Sequence, residues 1–357
     1  MHGNSMIGID LFSGAGGLSL GAIYAGVNVK YAVELDKYAA ITCSRNHLDT
    51  KVLNEDIRLI SASNFELIDV AKTDLILFGG PPCQGFSTSN QKNRNKDNSK
   101  NWLFKEYLRI ARELEPNWII IENVKGLLET ENRLFYNAII SELNYLGYTI
   151  STLLLNASDY GIPQNRNRIF IIGSKKGKIV KKPQKNLKYI NVKEALWDLP
   201  DIDNGHNISE MSYQCEPHSE YATLMRTHTN ETVCNNLVTR NSSLILERYK
   251  YIPQGGNWEN IPENLMTNYA DRSRCHTGIY RRLEESKPAV TIGNFRKNML
   301  VHPWKHRGLS IREAARLQSF PDDFIFYGSI GFQQQQVGNA VPPLLAKVIF
   351  NQILESC

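Results

Sequence analysis

The sequence has no Cys-x-x-Cys pair, and its six cysteines are scattered along 357 residues. Paired cysteines are the usual signature of a zinc site or of a disulfide framework, so we expect neither, and a functional cysteine has to act alone. The sequence also has no run of about 18 to 20 apolar residues, the length that a membrane-spanning helix needs. The opening Met-His-Gly-Asn-Ser-Met lacks the basic and then apolar layout of a signal peptide, so the sequence predicts a cytoplasmic protein.

Extremes of composition are also absent. Hydrophobic residues make up 42% of the chain and charged residues 22%, which is ordinary globular usage. These fractions disfavour the disordered, collagen-like and coiled-coil classes. At roughly 100 to 200 residues per domain, the length predicts about two folded domains.

Charge is distributed unevenly, although the net charge is only +5. Residues 160–188 contain nine basic residues and no acidic ones, and residues 272–316 contain eleven basic residues against three acidic ones, whereas the stretch between them is acidic. Two basic regions around an acidic insert are typical of a cleft for a polyanion, because each neutralised phosphate releases counterions. Solvated surface charge is the alternative. It is the preferred interpretation for Lys181 to Lys188 and for the polar run Gln333 to Gln336.

Apolar strands and amphipathic helices alternate over the first 175 residues, which predicts an α/β domain with a mostly parallel sheet. The predicted strands are 6–12, 29–33, 75–78, 118–122, 149–155 and 169–173. The predicted helices are 18–25, 38–46, 102–114, 133–146, 310–317 and 342–354. After about residue 186 the alternation fades, with a weak strand at 289–292. A second domain is therefore predicted at 187–327, while 1–186 and 328–357 form the first.

A glycine-rich turn, Asp10-Leu11-Phe12-Ser13-Gly14-Ala15-Gly16-Gly17, follows the first predicted strand. Twenty residues after Gly14 the second strand ends in Glu34, the place of the acidic residue that binds ribose hydroxyls in nucleotide folds. Asp56, at the next strand end, is placed to accept from an adenine amino group. This spacing suggests an adenosine cofactor. Ser19 stands where a dinucleotide fingerprint has its third glycine, and a purely structural turn is the alternative.

Cys83 lies in the block Phe78-Gly79-Gly80-Pro81-Pro82-Cys83-Gln84-Gly85-Phe86-Ser87, again after an apolar strand. A thiolate on a loop stiffened by two prolines is a good nucleophile. The flanking glycines and prolines disfavour the alternative, a buried structural cysteine. Glu122 ends another strand, at the edge where α/β folds build their sites. Arg166 and Arg168 follow at i and i+2, so on an extended segment they share a face.

In this order, the blocks resemble those of the DNA (cytosine-5) methyltransferases of bacterial restriction-modification systems. The resemblance covers nearly the whole chain and includes two further blocks, Arg312-Glu313-Ala314-Ala315-Arg316-Leu317-Gln318-Ser319-Phe320-Pro321 and Val337-Gly338-Asn339-Ala340-Val341-Pro342-Pro343. It implies an S-adenosylmethionine-dependent methyltransferase, Rossmann-like fold for the first domain and a target-recognition role for 187–327. It also implies S-adenosyl-L-methionine as cofactor, double-stranded DNA as substrate and no metal. We expect a monomer on DNA and a cognate restriction endonuclease as its functional partner.

The resemblance also implies roles for particular residues. Cys83 adds to carbon 6 of a cytosine flipped out of the duplex, and Glu122 protonates or hydrogen-bonds ring nitrogen 3. Arg168 holds Glu122 and the base oxygen, and Arg166 contacts the Cys83 loop or the nucleotide backbone. The implied cofactor residues are Phe12, Gly14, Gly16, Glu34, Asp56, Ile57, Pro82, Leu103, Asn339 and Val341. The implied DNA contacts are Ser87, Arg272, Arg274, Arg281 and Arg282.

Three alternatives share parts of this pattern. A tRNA cytosine-5 methyltransferase has the same fold and catalytic blocks, but Gly85, Ser87 and the long variable insert favour the DNA branch. A catalytically inactive DNA-binding relative is disfavoured, because every catalytic position is filled. A nicotinamide or flavin oxidoreductase would leave Cys83, Glu122 and Arg168 unexplained.

Overall fold

The structure is a computed structural model of the chain, and it describes residues 6–67, 75–82, 102–229, 231–267, 278–293, 295–297 and 299–356. Every helix in these ranges is too short or too polar to span a bilayer. The chain forms two compact units. The first comprises Met1–Tyr160, Asn167–Lys185 and Val341–Cys357, and the second comprises Gly161–Arg166 and Asn186–Ala340. The functions predicted for the two domains stay predictions.

Among the described residues, the first unit contains a seven-stranded sheet with the order β3-β2-β1-β4-β5-β7-β6. Its strands are β1 Ile7–Leu11, β2 Asn28–Val33, β3 Lys51–Leu53, β4 Leu75–Gly79, β5 Trp118–Val124, β6 Thr149–Asn156 and β7 Asn167–Ser174. The first five strands run parallel, and β7 runs antiparallel to both of its neighbours. The predicted α/β class is confirmed. Because the strand order reverses at β1 and β4, the ligand crevice of such a sheet lies at the carboxyl ends of these strands.

The described helices follow in chain order. They are α1 Gly17–Tyr24, α2 Lys37–Asn46, α3 Phe104–Leu114, α4 Leu134–Tyr145, α5 Val192–Leu196, α6 Glu220–Met225, α7 Ser243–Lys250, α8 Ile311–Leu317, α9 Ile330–Asn339 and α10 Pro343–Leu354. Helix α3 covers one face of the sheet, and its buried residues recur at helical spacing. Tyr107 on α3 donates a hydrogen bond to the carbonyls of Leu77 and Ile120, at 2.8 and 3.0 Å. This bond ties the helix to β4 and β5, the strands that lead into the Cys83 and Glu122 blocks.

The second unit has a two-stranded ribbon, β8 Met211–Ser212 and β9 Thr232–Val233, besides helices α5 to α9. The predicted strand at 289–292 is wrong, since within the described residues it forms only an isolated bridge between Ala289 and Gln164. A small apolar core surrounds Tyr249 and Tyr280. Buried polar side chains, among them Arg312, Arg316 and Asp322, add hydrogen-bonding contacts to this unit.

The glutamine run on α9 is one such set of contacts, and its prediction as surface polarity is wrong. Gln333, Gln334 and Gln336 are buried. Gln333 accepts a hydrogen bond from the Asn235 side chain at 3.0 Å, and Gln336 donates to the Tyr327 carbonyl at 2.9 Å. Three of the four glutamine side chains are therefore buried. A run of four identical polar residues does not indicate which of them face the interior.

Candidate active site

The chain leaves β1 through a turn in which Phe12, Gly14 and Gly16 have positive φ angles of 62°, 55° and 93°. Glycine adopts this conformation without steric cost, so the turn requires its glycines. A Cβ at Gly16 would collide with the His47 ring, whereas a Cβ at Gly14 would meet none of the described atoms within 4 Å. As far as the described residues go, the backbone at Gly14 therefore borders open space, as the close approach of a ligand requires.

Glu34 joins this turn to the carboxyl end of β2. The Gly14 amide donates to Glu34 Oε2 and the Asp36 amide donates to Glu34 Oε1, both at 2.7 Å. Burial raises the pKa of the Glu34 carboxyl, and the two amide bonds oppose that rise. Two backbone amides thus hold the carboxylate in one orientation, where its remaining lone pairs can accept from hydroxyl groups.

Asp56 follows β3, the neighbour of β2, and caps the short turn that begins at Ile57. Its carboxylate accepts from the Arg58 amide at 3.0 Å and forms an ion pair with the Arg58 guanidinium. These hydrogen bonds lower the pKa of Asp56 to about 2, so the group is ionised at neutral pH. An adenine amino group at Asp56 would share the carboxylate with Arg58, a partner that the sequence analysis did not include.

The other predicted cofactor residues lie at several places. Leu103 packs against the core of the first unit just before α3, and Pro82 is half-buried after β4. Asn339 is the exposed last residue of α9 in the second unit, and Val341 is buried at the start of the last segment of the first unit. The structure thus brings together the β1, β2 and β3 residues directly, because those strands are neighbours.

Asp10 lies on β1, immediately before this turn, and its carboxyl is fully buried. The Ser19 hydroxyl donates to Asp10 Oδ2 at 2.6 Å. Burial raises the pKa of Asp10 to about 8 from an ordinary value of 3.8, so the group is protonated in the folded protein at neutral pH. The glycines of this block were predicted to matter, whereas the raised pKa of its Asp10 carboxyl was not predicted.

We expect the contribution of Asp10 to stability to fall as pH rises from about 4 to about 8, because unfolding releases a proton that folded Asp10 retains. The contribution is complete below the unfolded pKa and is lost as pH rises toward the folded one. Each unit of difference between the two is worth about 1.4 kcal/mol. Asp10→Asn keeps an acceptor for Ser19 without titrating, so the urea unfolding free energy of wild type is expected to fall relative to that of the variant between pH 5 and 8. An unchanged pH slope in this variant would refute the assignment.

Glu122 and Arg168 form an ion pair at the carboxyl edge of the sheet, with 2.8 Å between Arg168 Nε and Glu122 Oε1. Their side chains are only 11% and 10% exposed. The antiparallel register of β5 and β7 pairs Val124 with Arg168, which brings the arginine to the end of β5. Burial lowers the pKa of Arg168, and Glu122 opposes that effect. The pair therefore fixes a carboxyl group beside a guanidinium group, and both groups are largely shielded from solvent.

The start of the Cys83 loop lies against this pair. A Cβ at Gly80 would come within 2.8 Å of Glu122 Oε2, so only glycine lets the loop backbone pass the carboxylate this closely. Asn123 donates a hydrogen bond to the Pro81 carbonyl at 3.4 Å. Sequence reasoning missed Asn123 as a support of this loop, and its position next to Glu122 was the available signal. Cys83 and Ser87 themselves lie outside the described residues.

Arg166 is placed differently from Arg168, although the extended segment predicted a shared face. It belongs to the second unit, where its guanidinium donates to the carbonyls of Ile292 at 2.7 Å and of Gly338 and Ala340 at 2.9 Å. These contacts position the backbone of the 337–343 block. Among the described residues Arg166 therefore positions this backbone, and its catalytic role stays a prediction. Its predicted contact with the Cys83 loop lies outside the described residues.

Arg282 is corrected as a DNA contact. It is buried, and its guanidinium donates to the carbonyls of Tyr249, Ile252, His302 and Lys305 and to a ring nitrogen of His306. Five hydrogen bonds use all of its donors, so none remains for a phosphate. Arg281 is partly exposed. Arg272 and Arg274 lie outside the described residues.

The sequence and the structure are similar to those of known proteins. Residues 6–355 match the family described as C-5 cytosine-specific DNA methylase. The chain is 36% identical over 355 residues to the type II methyltransferase M1.HphI of Haemophilus parahaemolyticus, covering 98% of this chain and 87% of that protein. It is 34% identical over 368 residues to the type II methyltransferase M.DdeI of Desulfomicrobium norvegicum, covering 97% and 88%. A prophage-encoded E. coli protein, assigned as a DNA modification methyltransferase, has a crystal structure that superposes with a TM-score of 0.80 at 29% identity, covering 99% of both chains.

Proposed function

This chain belongs to the C-5 cytosine-specific DNA methylase family, and we propose that it methylates carbon 5 of a flipped-out cytosine in duplex DNA through a covalent adduct with Cys83. It is a DNA (cytosine-5) methyltransferase and a relative of type II restriction-modification methyltransferases. The observation that carries the mechanism is the buried Glu122–Arg168 pair against Gly80, at the start of the Cys83 loop. A nucleophile after β4 and a carboxyl near the end of β5 then flank one site at the sheet edge.

S-adenosyl-L-methionine fits the residues at the neighbouring strand ends. The open space at Gly14 admits a ligand to the turn backbone, and the amide-held Glu34 offers oxygens to ribose hydroxyls. Asp56 and Ile57 at the end of β3 are the residues for the adenine, with Leu103 and Pro82 as apolar contacts. When bound, this cofactor supplies an electrophilic methyl group on a sulfonium.

Carbon 5 of cytosine is a poor nucleophile, so the proposed chemistry begins by breaking the aromaticity of the ring. The Cys83 thiolate adds to carbon 6, and the electron pair of the 5,6 double bond shifts toward carbon 5, which becomes nucleophilic. A bound sulfonium would supply the methyl group to this carbon, and its sulfur would keep the electron pair of the broken carbon–sulfur bond. Glu122 donates a proton or a hydrogen bond to ring nitrogen 3 as negative charge accumulates there. Arg168 keeps Glu122 in place and neutralises charge at the base oxygen. Loss of the carbon 5 proton to a base then expels Cys83 as thiolate and restores the ring.

We also propose that the second unit recognises the target sequence and that the protein is the modification enzyme of a restriction-modification system. The acidic and polar stretch 187–267 carries the Asn, Gln, Arg and Ser side chains that read base edges. Arg281 remains the proposed phosphate contact among the described candidates. A cognate endonuclease is a functional partner in this proposal, because methylation protects the sites that such an enzyme cleaves.

The proposed function is tested by methyl transfer from tritiated S-adenosylmethionine to mixed-sequence duplex DNA and to tRNA. Wild type is expected to label the DNA, Cys83→Ser is expected to label neither substrate, and bisulfite sequencing then defines the methylated sequence. Cys215→Ser serves as the matched control, because Cys215 is an exposed free cysteine of the second unit. Label in tRNA alone would assign the protein to the RNA branch. Full activity of Cys83→Ser would refute the covalent mechanism.

A further inference from the structure

The segment Lys175–Lys185, the lysine segment, directly follows β7 and contains six lysines and no acidic residue. Ser174, the last residue of β7, pairs with Trp118, the first residue of β5. The lysine segment therefore begins at the amino edge of the parallel strands. Arg168 lies six residues back along β7, which corresponds to about 20 Å. Most of the predicted basic region at 160–188 is thus far from the Glu122–Arg168 pair.

The backbone of the lysine segment is anchored to the first unit. The Lys175 amide donates to the Asn117 carbonyl at 3.0 Å, and the Val180 amide donates to the buried Ser151 hydroxyl oxygen at 2.9 Å. Ser151 lies near the amino end of β6, the outermost strand. Val180 itself is buried. The lysine side chains therefore project from a fixed course beside β6.

Two of the six lysines contact other side chains of the first unit. Lys175 Nζ lies 4.8 Å from the centre of the Tyr148 ring, and Lys185 forms an ion pair with Asp159 at 2.8 Å. The other four are exposed, and none of them has a carboxylate within ion-pair distance among the described residues. These four are Lys176, Lys178, Lys181 and Lys182. Like charges on neighbouring residues repel each other. This group therefore adds no ion pair among the described residues and is available to an external anion.

We propose that Lys176, Lys178, Lys181 and Lys182 bind the phosphates of a second DNA duplex, distinct from the duplex whose cytosine enters the active site. This inference rests on the proposed function, which brings DNA to the protein. A straight duplex across the carboxyl edge does not reach a turn about 20 Å away along the strands. The stretch 176–182 contains no aromatic or amide side chain, so its lysines bind phosphates without reading sequence. The enzyme can then hold one DNA segment while it samples another for its target.

The test uses the full-length variant K176Q/K178Q/K181Q/K182Q and a charge-matched control, K30Q/K51Q/K250Q/K347Q, whose lysines lie elsewhere on the two units. Each protein is first saturated with a 30-base-pair duplex that contains the methylated sequence. A fluorescent duplex without that sequence is then titrated at several salt concentrations. Wild type and control are expected to bind it with a log–log salt slope of about −3 to −4, since each phosphate contact contributes about −0.9. The lysine variant is expected to bind it at least tenfold more weakly.

Methyl transfer separates this inference from the proposed function. On the 30-base-pair duplex all three proteins are expected to react equally fast, whereas on DNA of several kilobases the lysine variant is expected to find its target more slowly. If the lysine variant and wild type bind the second duplex with the same affinity, and both methylate the short duplex at the normal rate, this inference is refuted and the proposed function is not. If wild type methylates no DNA, the proposed function fails first.

Discussion

Glu122→Gln is expected to lower kcat by about 10²- to 10⁴-fold, the usual contribution of a positioned general acid. The amide preserves the size of the side chain and an oxygen acceptor for Arg168 Nε, which lies 2.8 Å from Glu122 Oε1. It cannot deliver a proton to ring nitrogen 3, so the negative charge that follows attack by Cys83 stays uncompensated. The measurement is steady-state methyl transfer to the duplex that contains the methylated sequence.

Glu129→Gln is the matched control for this prediction. Glu129 lies a few residues after β5 and forms an exposed ion pair with Lys125 at 3.1 Å. Its substitution removes the same charge from the same part of the chain and is expected to leave kcat unchanged. Calorimetric binding of S-adenosylmethionine shows that the Glu122 variant is folded. A kcat for Glu122→Gln within twofold of wild type would exclude Glu122 from the chemistry.

Arg316→Met is expected to destabilise the protein by about 3 to 5 kcal/mol, the cost of leaving buried charges without their partner. Arg316 on α8 is fully buried and donates to both Asp198 and Asp322, at distances of 2.6 to 3.1 Å. Burial opposes the ionisation of Asp322, but Arg316 and its hydrogen bonds hold the pKa of that carboxyl below its usual value. Without Arg316, the buried carboxylates of Asp198 and Asp322 keep only longer ion pairs, with Arg226 at 3.3 Å and with Arg312 at 3.8 Å.

Urea unfolding at neutral pH measures this loss. The triple variant Arg316→Met, Asp198→Asn, Asp322→Asn is the informative companion, because it removes the charges together and is expected to recover part of the stability. Arg240→Met, a change of the same type at an exposed arginine, is expected to alter the unfolding free energy by less than about 0.5 kcal/mol. A single Arg316 variant as stable as wild type would show that the network is dispensable.

Strand and helix positions in the first unit were largely predictable from the sequence. Apolar runs such as Leu75–Gly79 and Trp118–Val124 are buried on both faces, so their pattern is strong over a short distance. A strand before Asp56 was expected but its bounds were not predicted, because three exposed or partly exposed residues, Lys51–Leu53, carry no detectable period. In the second unit, α9 was missed because four consecutive glutamines hide the helical alternation that the structure shows in their burial.

The sequence by itself determined the order of the chemical blocks, and through them the α/β class, the family and the candidate residues, because each block follows a strand whose apolar pattern is local. Only the tertiary structure decided which groups the charged side chains contact. Arg166 and Arg168 are two residues apart, yet one fixes carbonyls in the second unit and the other pairs with Glu122 in the first. Arg282 looked like a DNA contact and is buried among carbonyls instead. The reason is physical: the partner of a charged side chain is set by chain segments distant in sequence, and no local pattern records which carbonyl, carboxylate or phosphate will be near.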